Sequence, residues 1–365
     1  MKILIVGPAW VGDMVMAQSL FICLKQQHPD ATIDVLAPPW CLELLARMPQ
    51  VNKGLPLAIG HGEFGLGKRL ALGRELRAAG YDQAIVLPNS FKSALIPLLA
   101  RIPLRTGWRG EARGWLLNDC RRLDKDAYPL MVQRFAALAY PVSPPPWLLQ
   151  TSHWLAGAAV EQAPVPRLTV AVAAQQATLN KLGLNTVKPV LVLCPGAEYG
   201  PSKQWPEAHY AAVAAQYLLQ GYQVWLLGSA RDREAGERIR ASSAAAGCRN
   251  LCGETMLGEA VDLLAAATAV VSNDSGLMHV AAALDRPLVV VYGSTSAGFT
   301  PPLAGSVRIL SLQLPCSPCF KRQCPLGHLD CLKQLHPSRV IGALAELLTQ
   351  GTASNVEVSP AGIPK

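Results

Sequence analysis

The sequence predicts an α/β protein of two Rossmann-like domains, each with a parallel sheet, facing each other across a cleft. Three observations predict it. The chain has 365 residues, too many for one typical core and enough for two. Short apolar runs alternate with amphipathic segments in both halves, the pattern of strand–helix–strand units. The stretch 141-PVSPPPWLLQ-150, with four prolines, separates the halves. The expected domains are residues 1–165 and 185–350, with the polar segment 351–365 as a loose tail.

In the first half, strands are expected at Ile3–Val6, Ile33–Leu36 and Gln83–Leu87. Helices are expected at Met14–Gln27, Cys41–Met48, Arg69–Ala79 and Phe91–Ala100. The pattern restarts at 189-PVLVLCPG-196. It continues through helix Glu207–Leu219, strand Gln223–Leu227, and helices Asp232–Ala245 and Leu257–Ala266. Strand Ala269–Val271, helix Leu277–Ala283, strand Leu288–Val291 and a last helix near Arg339–Leu348 complete it. In open α/β sheets ligands bind at the carboxyl ends of the strands, so the loops there are the places to search for chemistry.

Half of the residues are hydrophobic and 16% are charged, which excludes a disordered chain. The net charge of +8 is uneven. Residues 1–150 hold 17 Lys/Arg against 11 Asp/Glu, whereas residues 151–365 hold 16 against 14. The first half therefore suits an anionic partner. Nucleic acid is not expected, because there is no long basic run and no zinc-finger pattern. No window holds the roughly 18 uninterrupted apolar residues of a membrane helix. The start, 1-MKILIVGPAWVGD-13, has an apolar run too short for a signal peptide. A cytoplasmic location is expected, with the ten cysteines reduced or metal-bound.

Several segments carry chemistry. In 3-ILIVGPAWVGDMVMAQSL-20, Asp13 falls near the start of a helix, either as a capping side chain or as a general base at the edge of the cleft. Gly7 and Gly12 do not make the dinucleotide fingerprint, which removes the main support for a dehydrogenase. In 194-CPGAEYGPSKQWPEAHY-210, Gly196 opens a loop whose one cation is Lys203. That lysine is read either as a solvated side chain or as a phosphate ligand. It is not a Walker A loop.

The turn 272-SNDSGLMH-279 is rich in helix caps, and Gly276 leaves the first helical N–H groups open, as an anion site requires. A plain capped helix with His279 inside is the alternative. Beside Lys203 on the same sheet edge, the turn reads as half of a diphosphate cradle. Asp274 would cap, or hold the turn and His279, while the N–H groups of Ser275 and Gly276 meet the anion. Arg101, Arg105, Arg109 and Arg113 recur every four residues among Pro and Gly, which suggests a basic loop. With Asn89 and Lys92 of 88-PNSFKS-93 it is read either as an anionic-acceptor site or as a solvated surface.

Cys316, Cys319, Cys324 and Cys331 form C-x2-C-x4-C-x6-C, with His328 and His336 nearby. A closed structural zinc site, free thiols and disulfides all remain open readings. No open ligand position or partner base suggests a catalytic metal.

At 5-IVGPAWVGDMVMAQSL-20, 87-LPNSFKSAL-95, 105-RTGWRGE-111, 195-PGAEYGPSKQWP-206, 272-SNDSGLMHVAAALDRPLVVVYGSTS-296 and 299-FTPPL-303 the chain resembles the bacterial heptosyltransferases of glycosyltransferase family 9. The resemblance spans residues 1–303, and its Asp-Ser-Gly-Leu-x-His segment marks the family. It implies a glycosyltransferase-B architecture, with an acceptor domain first and a donor domain second. It implies inverting transfer of L-glycero-D-manno-heptose from ADP-heptose to the first heptose of heptosyl-Kdo2-lipid A. It implies no cofactor and no tightly bound metal at the diphosphate. The acceptor is lipid-anchored, so peripheral work at the cytoplasmic surface of the inner membrane is expected.

By the same resemblance Asp13 matches the base, Lys203 the diphosphate lysine, and Asp274, Ser275, Gly276 and His279 the donor turn. Asp232 or Glu234 would reach the ribose of the ADP group. Glu198 and Tyr199 stand where some relatives have hydroxyl residues. Other nucleotide-sugar transferases or epimerases of this architecture, and a non-catalytic nucleotide- or glycan-binding protein, are the rival functions.

Overall fold

The computed structural model describes residues 1–60, 63–140, 164–243 and 247–353. The Pro-rich stretch 141–150 and the tail beyond residue 353 lie outside the described residues. The chain divides into two compact units. The first is Met1–Ala171 with Met256–Val261 and Gly298–Leu303, and the second is the remainder. The first unit thus takes in two short segments from the part of the sequence expected to form the second domain.

The first unit is built on β1 (Lys2–Val6), β2 (Thr32–Ala37), β3 (Lys53–Pro56), β4 (Gln83–Val86), β5 (Leu104–Trp108) and β6 (Asp119–Arg121). They form a sheet of order β3-β2-β1-β4-β5-β6, with every pairing parallel. The second unit holds β7 (Val190–Cys194), β8 (Gln223–Leu226), β9 (Cys248–Asn250), β10 (Ala269–Asn273), β11 (Leu288–Val291) and β12 (Val307–Leu310). Its order is β12-β11-β10-β7-β8-β9, again parallel. Counted from its own first strand, this is the order of the first sheet. Both are the doubly wound order in which the winding reverses beside the first strand, the place where such sheets bind ligands.

The central strands are continuous apolar runs because helices cover both faces. All five residues of β7 and of β10 are buried. One face of the second sheet packs against the helix Glu207–Leu219 through Tyr210, Val213 and Tyr217, and against the last helix, Pro337–Ala353, through Val340 and Leu344. Each such side chain contributes roughly 1.5–3 kcal/mol on burial. In the first unit, helix Val11–Gln27 is buried along most of its length. Its Gln18 accepts from the Arg167 N–H at 2.8 Å and donates to the Arg167 carbonyl at 2.6 Å, fixing the chain where it leaves the unit.

The two borrowed segments are bound by specific contacts. The Gly258 N–H donates to Glu43 Oε2 at 2.8 Å. The Met131 N–H donates to the Phe299 carbonyl at 3.0 Å, and the Arg134 guanidinium lies 4.8 Å from the centre of the Phe299 ring.

Helix Glu207–Leu219 and strand Leu288–Val291 match expectation to the residue. Other expectations need correction. Arg105 does not lie in a loop, because residues 104–107 pair with β4 as part of β5. Helix Asp232–Ala245 begins as a 3-10 turn over Ala230–Asp232 and is α-helical over Arg233–Ser242.

Candidate functional site

Strands β7 and β10 are neighbours at the reversal point of the second sheet. The loop leaving β7 carries Lys203 and the turn leaving β10 carries Asp274. Parallel pairing therefore brings both to the same sheet edge. Lys203 Nζ donates to Asp274 Oδ2 at 2.6 Å, with side chains only 15% and 5% exposed. Thr295 Oγ1, from the loop after β11, donates to the same oxygen at 2.6 Å. The lysine also stands over the Tyr199 ring, 4.9 Å from its centre.

Asn273, fully buried, joins the two loops. Its Oδ1 accepts from the Trp205 N–H and the Tyr210 hydroxyl, each at 3.0 Å, and its Nδ2 donates to the Pro195 carbonyl at 2.6 Å. Sequence reasoning gave Asn273 and Thr295 no role at this site. Their partners are distant in the chain, and only the order of the strands brings them together.

Of the two readings of Asp274, that it caps the following helix is not met. The cap residue of helix Gly276–Ala283 is Ser275, in extended conformation, and no side chain caps it. Asp274 is committed to Lys203 and Thr295 instead, because a buried carboxylate gains more from an ammonium and a hydroxyl than from backbone donors alone. His279 is buried one turn into this helix, and its pKa is lowered to about 4. Desolvation is the main cause. Asp274 opposes the shift and Lys203 reinforces it. The imidazole is therefore neutral near pH 7.

Of the two acidic residues considered for the ribose, the structure brings only Asp232 to this edge. Its carboxylate lies against Gly196, where a Cβ would come within 2.5 Å of Oδ2, and it accepts from the N–H and hydroxyl of Ser229. Glu234 is 91% exposed on the helix surface, 4.0 Å from Arg238. Glu198 pairs with exposed Arg231, and the Tyr199 hydroxyl donates to the Phe320 carbonyl at 2.7 Å.

In the first unit, β1 and β4 flank the matching reversal point. Asp13 lies in the first turn of helix Val11–Gln27, whose cap is Trp10. The helix begins three residues earlier than expected, so Asp13 sits inside it and is not the cap residue. Asn89 and Lys92 follow β4.

Arg113 is corrected most. It is fully buried, and its guanidinium donates to the carbonyls of Trp108 and Pro88 and to Asn89 Oδ1. Arg105 likewise donates to the carbonyls of Leu116 and Ile102, at 2.8 and 2.7 Å. Both hold loops together, since five planar donors can satisfy several buried carbonyls at once. Arg101 and Arg109 are exposed and Lys92 is half-buried, so these three, with Asn89, are what remains of the expected basic surface.

The four cysteines of the C-x2-C-x4-C-x6-C segment are half-buried free thiols, which sets aside the disulfide reading. All four line one cavity together with His328. His336 instead lies near His209, with ring centres 6.2 Å apart. Among the described residues, no three His, Cys, Asp or Glu side chains are gathered to hold a metal ion as they stand.

Comparison with known proteins agrees with this arrangement. The model of glycosyltransferase family 9 (heptosyltransferase) matches residues 69–330. Lipopolysaccharide heptosyltransferase 2 of Salmonella typhimurium is 50% identical over 356 residues, covering 96% of this chain and 99% of that protein. Its Escherichia coli counterpart is 49% identical over 97% of this chain and 100% of its own length. The solved structure of E. coli ADP-heptose lps heptosyltransferase II has a TM-score of 0.84 at 48% identity, over 96% of this chain and all of that one. On the match to the family model and these full-length relatives, the chain belongs to glycosyltransferase family 9, the heptosyltransferases.

Proposed function

We propose that the chain transfers a heptose from ADP-heptose to the first heptose of heptosyl-Kdo2-lipid A. The observation that carries this reading is the joining of Lys203 and the start of helix Gly276–Ala283 at the reversal point of the second sheet. The names of the full-length relatives supply the sugar and the nucleotide. The ammonium of Lys203 has three donors, and Asp274 uses one. The others serve the diphosphate, together with the backbone N–H groups at Ser275–Gly276. His279, neutral, adds a hydrogen-bonding group without adding charge. Asp232 takes the ribose side of the ADP group.

Asp13 is the base. It takes the proton of the acceptor hydroxyl as that oxygen bonds to the anomeric carbon. The bond from that carbon to the ADP oxygen breaks on the opposite face, ADP departs with the electron pair, and the configuration inverts. Each well-placed donor on the departing diphosphate is worth about 3–4 kcal/mol. Arg109, Lys92 and Asn89 meet the carboxylates and phosphates of the acceptor. Among the described residues no helix is long and apolar enough to cross a membrane. Peripheral work at the cytoplasmic surface of the inner membrane is proposed on a separate ground, the lipid anchor of the acceptor.

The test is mass-spectrometric detection of one heptose added to heptosyl-Kdo2-lipid A, with UDP- and GDP-sugars as competing donors. Addition from ADP-heptose alone is expected. Transfer from another nucleotide sugar, or ADP binding without turnover, would overturn the reading.

A further inference from the structure

The cysteine segment is left unused by this mechanism, yet it is built onto the Lys203 loop. Residues 320–322 lie between Cys319 and Cys324, and their carbonyls hold residues 199–202. The Tyr199 hydroxyl donates to the Phe320 carbonyl at 2.7 Å, the Ser202 hydroxyl to that of Lys321, and the Ser202 N–H to that of Arg322 at 3.3 Å. Phe320 N–H in turn donates to the Ser294 carbonyl at 2.7 Å, and the Ser294 hydroxyl to Ser202 Oγ at 3.1 Å. Gly200 has φ of 150°, and a Cβ there would stand 2.6 Å from the Arg322 carbonyl oxygen. The contact is too close for any side chain. Lys203 follows directly.

The cysteine segment also has the make-up of a thiolate site. Four reduced cysteines line one cavity. The Gly327 N–H donates to the Cys324 carbonyl at 3.2 Å, closing a turn after this cysteine. The turn has positive φ at Gly327 (73°) and at Leu329 (59°), a conformation a leucine adopts at a cost. His328 Nδ1 accepts from the Asp330 N–H at 3.0 Å, which puts its own proton on Nε2 in the neutral ring and leaves no nitrogen lone pair for a metal. The ligand set is therefore four sulfurs. Lys321, Arg322 and Lys333 stand in the same segment to balance the charge of a tetrathiolate.

We propose that Cys316, Cys319, Cys324 and Cys331 turn into the cavity they line and bind one zinc ion in a closed tetrahedral site, and that this site clamps the loop carrying Lys203. A site with four protein ligands has no open position, so its role is structural. Binding energy at such a site is folding energy for the segment that supplies the ligands. Here that segment includes the carbonyls that hold residues 199–202. The clamp's effect on donor affinity rests on the proposed role of Lys203, while the metal site itself does not.

Metal analysis of the full chain, purified without chelator, should find about one zinc per chain. Reduced, metal-stripped protein titrated with Co(II) should develop the sulfur-to-cobalt charge-transfer band and the intense visible bands of a tetrahedral thiolate complex. Cys324→Ser should weaken them even if the variant remains folded. Protein free of metal, together with a cobalt spectrum lacking thiolate bands, would overturn the site. Iron in place of zinc would uphold the site and change only the ion. For the clamp, stripped wild-type protein should bind ADP roughly 10- to 100-fold more weakly than the zinc-loaded form, with affinity restored on adding zinc. Equal affinities would overturn the clamp. Zinc-loaded protein that binds no ADP at all would instead overturn the donor-site reading and leave the metal site standing.

Discussion

Lys203 and Asp274 are 71 residues apart in the chain, yet Nζ of one stands 2.6 Å from Oδ2 of the other, and Thr295 holds the same oxygen. The pair is nearly buried, so neither charge is tolerated alone. Lys203→Met should destabilise the second unit by about 3–5 kcal/mol, because it strands the carboxylate. Adding Asp274→Asn should recover part of that loss, since an amide still accepts from Thr295. A double-mutant cycle by urea unfolding measures this, and additive losses would mean the two residues do not act as a pair. ADP affinity should stay low in both variants, because stability returns without the ammonium.

Asp13→Asn keeps the size of the side chain and removes the base. The expected loss is roughly 10²–10⁴ in kcat. ADP affinity, read by calorimetry, should be unchanged, because Asp13 belongs to the first unit and the donor loops to the second. A folded variant with near wild-type turnover would remove Asp13 from the mechanism.

Arg113 and Arg109 should behave as opposites despite their shared charge. Each buried carbonyl stranded by Arg113→Met costs about 1–3 kcal/mol, and those of Trp108 and Pro88 both accept from it, so a loss of about 2 kcal/mol or more is expected. Arg109→Ser, at an exposed position, should change stability by no more than about 0.5 kcal/mol. It should instead raise KM for the anionic acceptor, with a reduced dependence on salt. Thermal melts and acceptor titrations separate the two, and an unchanged melting point for Arg113→Met would refute the buried role.

His279 makes stability depend on pH. Its folded pKa, about 4, lies below the value of about 6.5 for an unfolded histidine. Between those values the unfolded chain binds the extra proton, so this contribution is whole above about pH 6.5 and is lost as pH falls toward 4. The full span is about 3 kcal/mol. His279→Gln should flatten that part of the stability curve relative to wild type. Parallel curves for the two proteins would show that the imidazole is not held neutral.

The sequence was most legible where a strand is buried on both faces. The apolar run of β7 is found at once, and so are helix Glu207–Leu219 and strand Leu288–Val291. Strands β3, β5, β6, β9 and β12 were missed; β3, β6, β9 and β12 lie at the sheet edges, where KGLP, DCR and CRN present no apolar run, and in the interior β5 the polar residues of LRTGW break the run. The positions of Lys203 and the Ser275–Gly276 turn on one sheet edge were legible from the strand–loop–helix rhythm. Their ion pair was not, since it depends on β7 and β10 becoming neighbours. The four-residue spacing of arginines misled for a physical reason. Charge suggests a solvated surface, whereas a guanidinium that meets several carbonyls is stable inside, as Arg113 is.

The two segments that complete the first unit, Met256–Val261 and Gly298–Leu303, bear on how the chain is made. Glu43 receives its partner from Gly258, and Met131 its acceptor from Phe299. A ribosome must therefore translate past residue 303 before the N-terminal unit has all its pieces. A fragment ending near residue 171 leaves both partners unmatched, whereas an engineered break placed after residue 303 preserves them.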